Sequence, residues 1–216
     1  MKNIAKGGEP PSLTRHRLQA HADYDNYREK DDLRQSLLTE QGHICCYCMQ
    51  RIRWAEGDRR MKIAHWHSQT EHPSEQLAYR NLLGACPGGE GRPFDQQHCD
   101  TRQGDEDMAF NPADPAHKVE ERIRYLGDGT VESDHSAFDR ELNGILNLNK
   151  GYRLRQNRKA VTDEVIDEVG RMPGPRTRGQ IQALIARWSA LDAQGEFREF
   201  CCVALYYLNR KLAKVS

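Results

Sequence analysis

The stretch that most constrains this chain is "HICCYCMQRI", where Cys45 and Cys48 stand in C-x-x-C spacing with Cys46 beside the first. Such a pair sits on a knuckle turn and aims two thiolates at one tetrahedral ion. Two more cysteines follow, Cys86 in "LLGACPGG" and Cys99 in "QHCDTRQGD". Four thiolates close a structural zinc site and leave no position for water. The second pair is looser: twelve residues separate its members, so "PGGEGRPFDQQH" must loop out and return. Three other readings stay open on spacing alone. Cys46 can replace Cys45, His98 can complete a mixed site beside Cys99, or the thiols can be buried without metal.

The cysteines number seven, an odd count. The N-terminal "MKNIAKGGEPPSLTRHR" lacks the apolar core of a signal peptide. Together these argue against a disulfide framework and for a cytoplasmic, metal-binding protein. No apolar run approaches the ~20 residues of a membrane span. Cys201 and Cys202 fall on an apolar helical stripe and read as core.

The elements are expected as follows. Residues 1–22 form an arm lying on the rest. "DYDNYREKDDLRQSLLTEQG" (23–42) reads as a helix with Tyr27, Leu33, Leu37 and Leu38 near one face and Gly42 as its stop. Lys62–His67 reads as a strand, Leu77–Leu82 as its return, and "DTRQGD" as a helix start with Asp100 near the cap. "RIRYLGDGTVES" (122–133) is a hairpin signal. Asp134 or Ser136 caps a helix through Leu146. Val161, Val165, Ile166 and Val169 form a stripe on the next helix, and "MPGP" (172–175) breaks the chain. "GQIQALIARWSALDA" and "EFREFCCVALYYLNRKLA" follow as amphipathic helices, with Phe197 and Phe200 on the apolar face of the last. The fold class is α+β, mostly helical. Its divisions are an N-terminal arm and helix (1–42), a ββα-sized metal module (43–107), and a hairpin plus helical region (108–216).

Lysine plus arginine equal aspartate plus glutamate, at 32 each. A chain that grips nucleic acid alone usually carries a basic excess, so basic contacts here must be local. Two segments offer them. "RIRWAEGDRRMK" (51–62) supplies Arg51 and Arg53, and "KGYRLRQNRK" (150–159) supplies Lys150, Arg153, Arg155, Arg158 and Lys159. Both can equally be solvated surface.

Between the cysteine pairs lies "KIAHWHSQTEHPSEQLAYRNLLGAC". With "CCYC", "IAHW", "RNLLGAC" and "HCDTRQGD", the block resembles the HNH endonucleases, the ββα-metal nucleases. "EPPSL", "EQGHICCYCMQRI", "AYRNLLGAC", "FNPADP" and "ILNLN" extend the likeness over nearly the full length to the PtuB group, the HNH proteins of Septu and retron-Septu antiphage systems.

The resemblance implies a toxic effector nuclease and gives residues roles. His65 matches the general base, Asn81 the residue that holds the loop or orients His65, and Asp100 a ligand of catalytic Mg²⁺ or Mn²⁺. It implies PtuA, an ATPase, as partner, and in retron versions a reverse transcriptase with its msDNA. Ala64 departs from the pattern, which has Asp or Glu there as second metal ligand. Three readings are open: an inactivating replacement of the acid, natural loss of activity, or a ligand from elsewhere. His67 is the fallback ligand, since residues two apart on a strand share a face. His72, beside Pro73, reads as a solvated loop residue and His43 as packing on the knuckle. The alternative to an enzyme is a non-catalytic zinc knuckle that binds nucleic acid or protein.

Overall fold

A computed structural model describes residues 1–150, 152–172, 174 and 176–215. The arm carries a short helix of its own, α1 (Pro11–Arg17), started by proline at its first position. Helix α2 (Lys30–Glu40) buries Leu33, Leu37 and Leu38 and is shorter than the pattern suggests. Tyr27 precedes it and is buried with its hydroxyl on Ser12. Gly42 stops the chain with a left-handed φ of +54°.

Beyond the knuckle come β1 (Arg53–Ala55) and β2 (Asp58–Arg60), a hairpin that the sequence pattern did not suggest. Then β3 (Lys62–His65) pairs antiparallel with β4 (Leu82–Ala85), and α3 (Cys99–Gln103) packs on β3. The return strand thus lies later than Leu77–Leu82. A 3₁₀ turn at Tyr79–Asn81 occupies the earlier residues, and the wholly buried "LLGA" forms the strand. A run buried on both faces shows no alternation, which is why its register was hidden. Gln41 fixes the hairpin to α2: its buried carboxamide accepts from Gly84 N–H at 2.6 Å and donates to the Ile44 and Gly84 carbonyls at 2.9 and 2.8 Å.

The C-terminal region runs α4 (Val119–Arg122), β5 (Arg124–Tyr125), β6 (Val131–Glu132) and α5 (Ser136–Arg140). Neither Asp134 nor Ser136 caps α5 through its side chain. His135 occupies the cap position, and the helix loosens into a π turn at Glu141–Ile145. The Glu141 carboxylate ties the start of this turn to the connector, accepting from the Ala109 and Phe110 N–H groups at 2.8 and 3.2 Å.

Helix α6 (Tyr152–Gly170) buries Val165 and Val169 but leaves Ile166 exposed. Pro173 and Pro175 of the expected break lie outside the described residues. A capping box from Thr177 and Gln180 starts α7 (Arg178–Ser189). The last helix, α8 (Cys201–Leu212), begins later than its apolar stripe suggests. Phe197 and Phe200 precede it because their backbone is tied elsewhere. Phe197 N–H donates to Gly42 O, Arg51 donates to Phe197 O, and Phe200 sits at φ +55°.

One continuous core includes residues of all three stretches that the sequence marks off. Among the described residues no helix is long and apolar enough to cross a membrane.

Candidate functional site

The knuckle delivers Cys45 and Cys48, β4 runs directly into Cys86, and Cys99 opens α3. Their four sulfurs lie within 4.8 Å of one another, all buried. Cys48 and Cys86 are 3.6 Å apart, and Cys45 and Cys99 3.9 Å. Thiolates about 2.3 Å from a tetrahedral zinc stand about 3.8 Å apart, so these four fit that ion. The choice between Cys45 and Cys46 resolves to Cys45. Cys46 is buried outside the set, its thiol held well above the ordinary range by burial.

His98 is no member of the four. Its Nδ1 lies 3.2 Å from Cys99 Sγ and 4.0 Å from Cys86 Sγ, placed to hydrogen-bond a sulfur. Burial pushes its pKa down. Hydrogen bonds to Cys45 and Cys48 raise Cys86, burial raises Cys99, and Cys45 is lowered despite its burial by hydrogen bonds from the neighbouring thiols; a cation lets thiolates ionise together.

The Gly-rich excursion returns because two residues close it. Asn147, in the "ILNLN" stretch, donates to the Asp95 and Gln97 carbonyls at 3.0 and 2.7 Å, and Cys99 N–H reaches Leu146 O. Gly88 adopts φ +57° against the returning chain, where a Cβ would stand 2.1 Å from His98 O. Gly88→Ala is therefore expected to weaken zinc retention by about 2–3 kcal/mol, read as faster loss of zinc to a chromogenic chelator.

His65 ends β3, 8% exposed. Its Nε2 lies 3.0 Å from the Gln76 carbonyl, and Tyr24 packs edge-on at 4.5 Å. A carbonyl only accepts, so Nε2 carries the proton and Nδ1 keeps the lone pair. Burial lowers the His65 pKa, which keeps the ring neutral near pH 7. Burial likewise raises the Tyr24 phenol to about 12.

Strand alternation puts Lys62 and Ala64 on the face opposite Ile63 and His65. Lys62 reaches α3, with Nζ 3.6 Å from Asp100 Oδ2 and 3.2 Å from Thr101 Oγ1. Ala64, fully buried, therefore points to the α3 side where Asp100 stands. Burial raises Asp100 to about 6 despite Lys62.

Asn81 is buried and serves the loop, with no bond to His65. It accepts from His67 N–H at 2.8 Å and donates to His67 O and Glu75 O at 3.0 and 3.2 Å. Asn81→Ala is expected to cost about 2–3 kcal/mol in urea unfolding, because it leaves part-buried backbone groups unpaired, with the metal of the four cysteines retained.

His67 stands against Glu75 and His72, with its Nδ1 2.9 Å from Glu75 Oε2 and its ring stacked on His72. His72 is less free than its loop position suggests, since its Nε2 lies 3.0 Å from Asp107 Oδ2.

The basic candidates divide. Arg158 is buried and donates to the Gly129 and Leu148 carbonyls, so it has no face for a phosphate. Arg51 donates to the Gly42, His43 and Phe197 carbonyls and pairs with Glu196, which also takes Arg53. Arg155 pairs with Asp128, and Lys159 with Asp163 at 2.5 Å. Lys150 and Arg153 have no acidic partner among the described residues. With Arg92, which the sequence reading passed over, they line a groove that also holds Asp95 and runs past Cys86, Gly88 and His98. A single arginine in a Gly-rich loop carries no sequence signal. Its place beside Lys150 appears only in the fold.

No family model matches the chain, and no curated protein matches it.

Proposed function

We propose that this chain is the framework of an HNH-type endonuclease that hydrolyses phosphodiester bonds in DNA or RNA, tRNA included. In this reading it is the toxic effector of a Septu or retron antiphage system. It acts with the ATPase PtuA and, in a retron version, with a reverse transcriptase and msDNA. The observation that carries the reading is His65. Its imidazole is neutral, its Nε2 proton is committed to Gln76 O, and its Nδ1 is available to take a proton from a water attacking phosphorus.

The strand that ends in His65 packs on the helix that opens with Cys99 and Asp100, with Ala64 rather than His65 on the Asp100 side. The groove of Arg92, Lys150 and Arg153 offers positive charge for a phosphate backbone. Net charge of zero suits a subunit that shares substrate binding with a partner.

The residues present do not form a catalytic Mg²⁺ or Mn²⁺ site. Asp100 is paired with Lys62, and position 64 offers a methyl group. Such ions need several oxygen ligands, so Ala64 leaves this chain weak or inactive as a nuclease. That supports the second reading, a zinc-knuckle module that binds nucleic acid or protein without cutting it. Cleavage by Ala64→Glu, lost again in Ala64→Glu/His65→Ala, separates the two. If no acid at position 64 gives cleavage with PtuA present, the binding module stands.

A further inference from the structure

We propose a second metal site, for a first-row transition dication, built from His67, His72 and Glu75 with Asp107 at its edge. One ligand atom from each of the first three lies within 4.8 Å of the others. His67 Nδ1 is 2.9 Å from Glu75 Oε2, and His72 Nε2 is 3.0 Å from Asp107 Oδ2. In an octahedral site, adjacent nitrogen and oxygen ligands about 2.1 Å from the ion stand about 3 Å apart. Both contacts thus have the spacing of neighbouring ligands. The two imidazoles stack with centroids 4.4 Å apart, so the His72 ring must swing out of the stack for both in-plane lone pairs to meet one ion. Two ligands of one ion stand at most about 4.2 Å apart, so the set must contract slightly. His72 and Glu75 have side chains 32% and 42% exposed on a loop and its 3₁₀ turn, which allows this.

Asn81 supplies the preorganisation. Its three hydrogen bonds clamp the backbone of His67 to that of Glu75, fixing two of the ligands relative to each other. Imidazole and carboxylate select zinc, cobalt, nickel or manganese over the thiolate preferences of the four-cysteine centre. Solvent reaches the cluster, so an ion here keeps a position for water or a phosphate oxygen, unlike the closed thiolate site. The site uses neither Asp100 nor position 64 and stands whether or not the chain cuts nucleic acid.

The test is cobalt titration of the full chain, purified and refolded without zinc so that both sites start empty, followed by absorption and by metal content after gel filtration. The expected result is two equivalents: one with intense thiolate-to-cobalt charge transfer, and a second with only weak nitrogen–oxygen bands. His72→Ala and Glu75→Gln are each expected to weaken the second by at least tenfold and leave the first intact. Asp100→Asn should leave both. Because His72 and Glu75 are surface residues, circular dichroism of their variants should match the parent. A single equivalent in the parent overturns the proposal. So does a second equivalent that survives both substitutions unchanged.

Discussion

A chelator strong enough to strip zinc from four thiolates is expected to unfold the stretch from Gln41 to Gln103. Cys45, Cys48, Cys86 and Cys99 come from a knuckle, the end of a strand and the first residue of a helix. Only short elements hold them together: β3 and β4 have four residues each, and α3 has five. Zinc bound by such sets is worth about 10–16 kcal/mol at neutral pH, against a total stability of about 5–15 kcal/mol for a typical domain. Loss of the ion therefore exceeds what the packing here can replace. The purified chain should carry one tightly held zinc. Chelation, or Cys48→Ser, should abolish the cooperative thermal transition of this region. Cys46→Ser, outside the sulfur cluster, should keep the zinc.

The second large effect concerns position 64. Ala64→Glu would place a carboxylate on the α3 side of the hairpin, next to Asp100 and Lys62, where Ala64 is fully buried. Without metal, two acids share one lysine, and a new charge is buried. The metal-free variant should be less stable than the parent by about 1–3 kcal/mol. Magnesium or manganese should reverse that loss, raising the variant's melting temperature and leaving the parent's unchanged. A metal that polarises a phosphoryl oxygen contributes several kcal/mol to the transition state. Cleavage by Ala64→Glu should thus exceed the parent's by about a hundredfold or more, and His65→Ala in that background should lower it by about 10²–10⁴.

Much of the four-cysteine cluster was legible because ligand chemistry is written in residue types. Cys45 and Cys48 stand in C-x-x-C spacing, with Cys46 left open in place of Cys45, and Cys86 and Cys99 are the two cysteines downstream in the block. What closes the second pair was not legible. Gly88 works through a positive φ and a 2.1 Å approach, and Asn147 through bonds to carbonyls some fifty residues away.

The start of α8 was misplaced for a related reason. Phe197 and Phe200 have helical spacing, but long-range backbone bonds to Gly42 and Met49 outweigh it. Arg158 is a different case. Leu154, Arg158 and Thr162 recur every four residues and are all buried. Helical period could therefore have marked Arg158 as inward, had the basic run not been counted as charge alone.

The most direct test of the account is cleavage of plasmid DNA and tRNA by Ala64→Glu with PtuA and magnesium. The parent and Ala64→Glu/His65→Ala run alongside. The account predicts cuts by Ala64→Glu that EDTA stops, at least a hundredfold fewer from the parent, and loss in the double variant. Equal cleavage by the parent and Ala64→Glu, or cleavage that survives loss of His65, would contradict it.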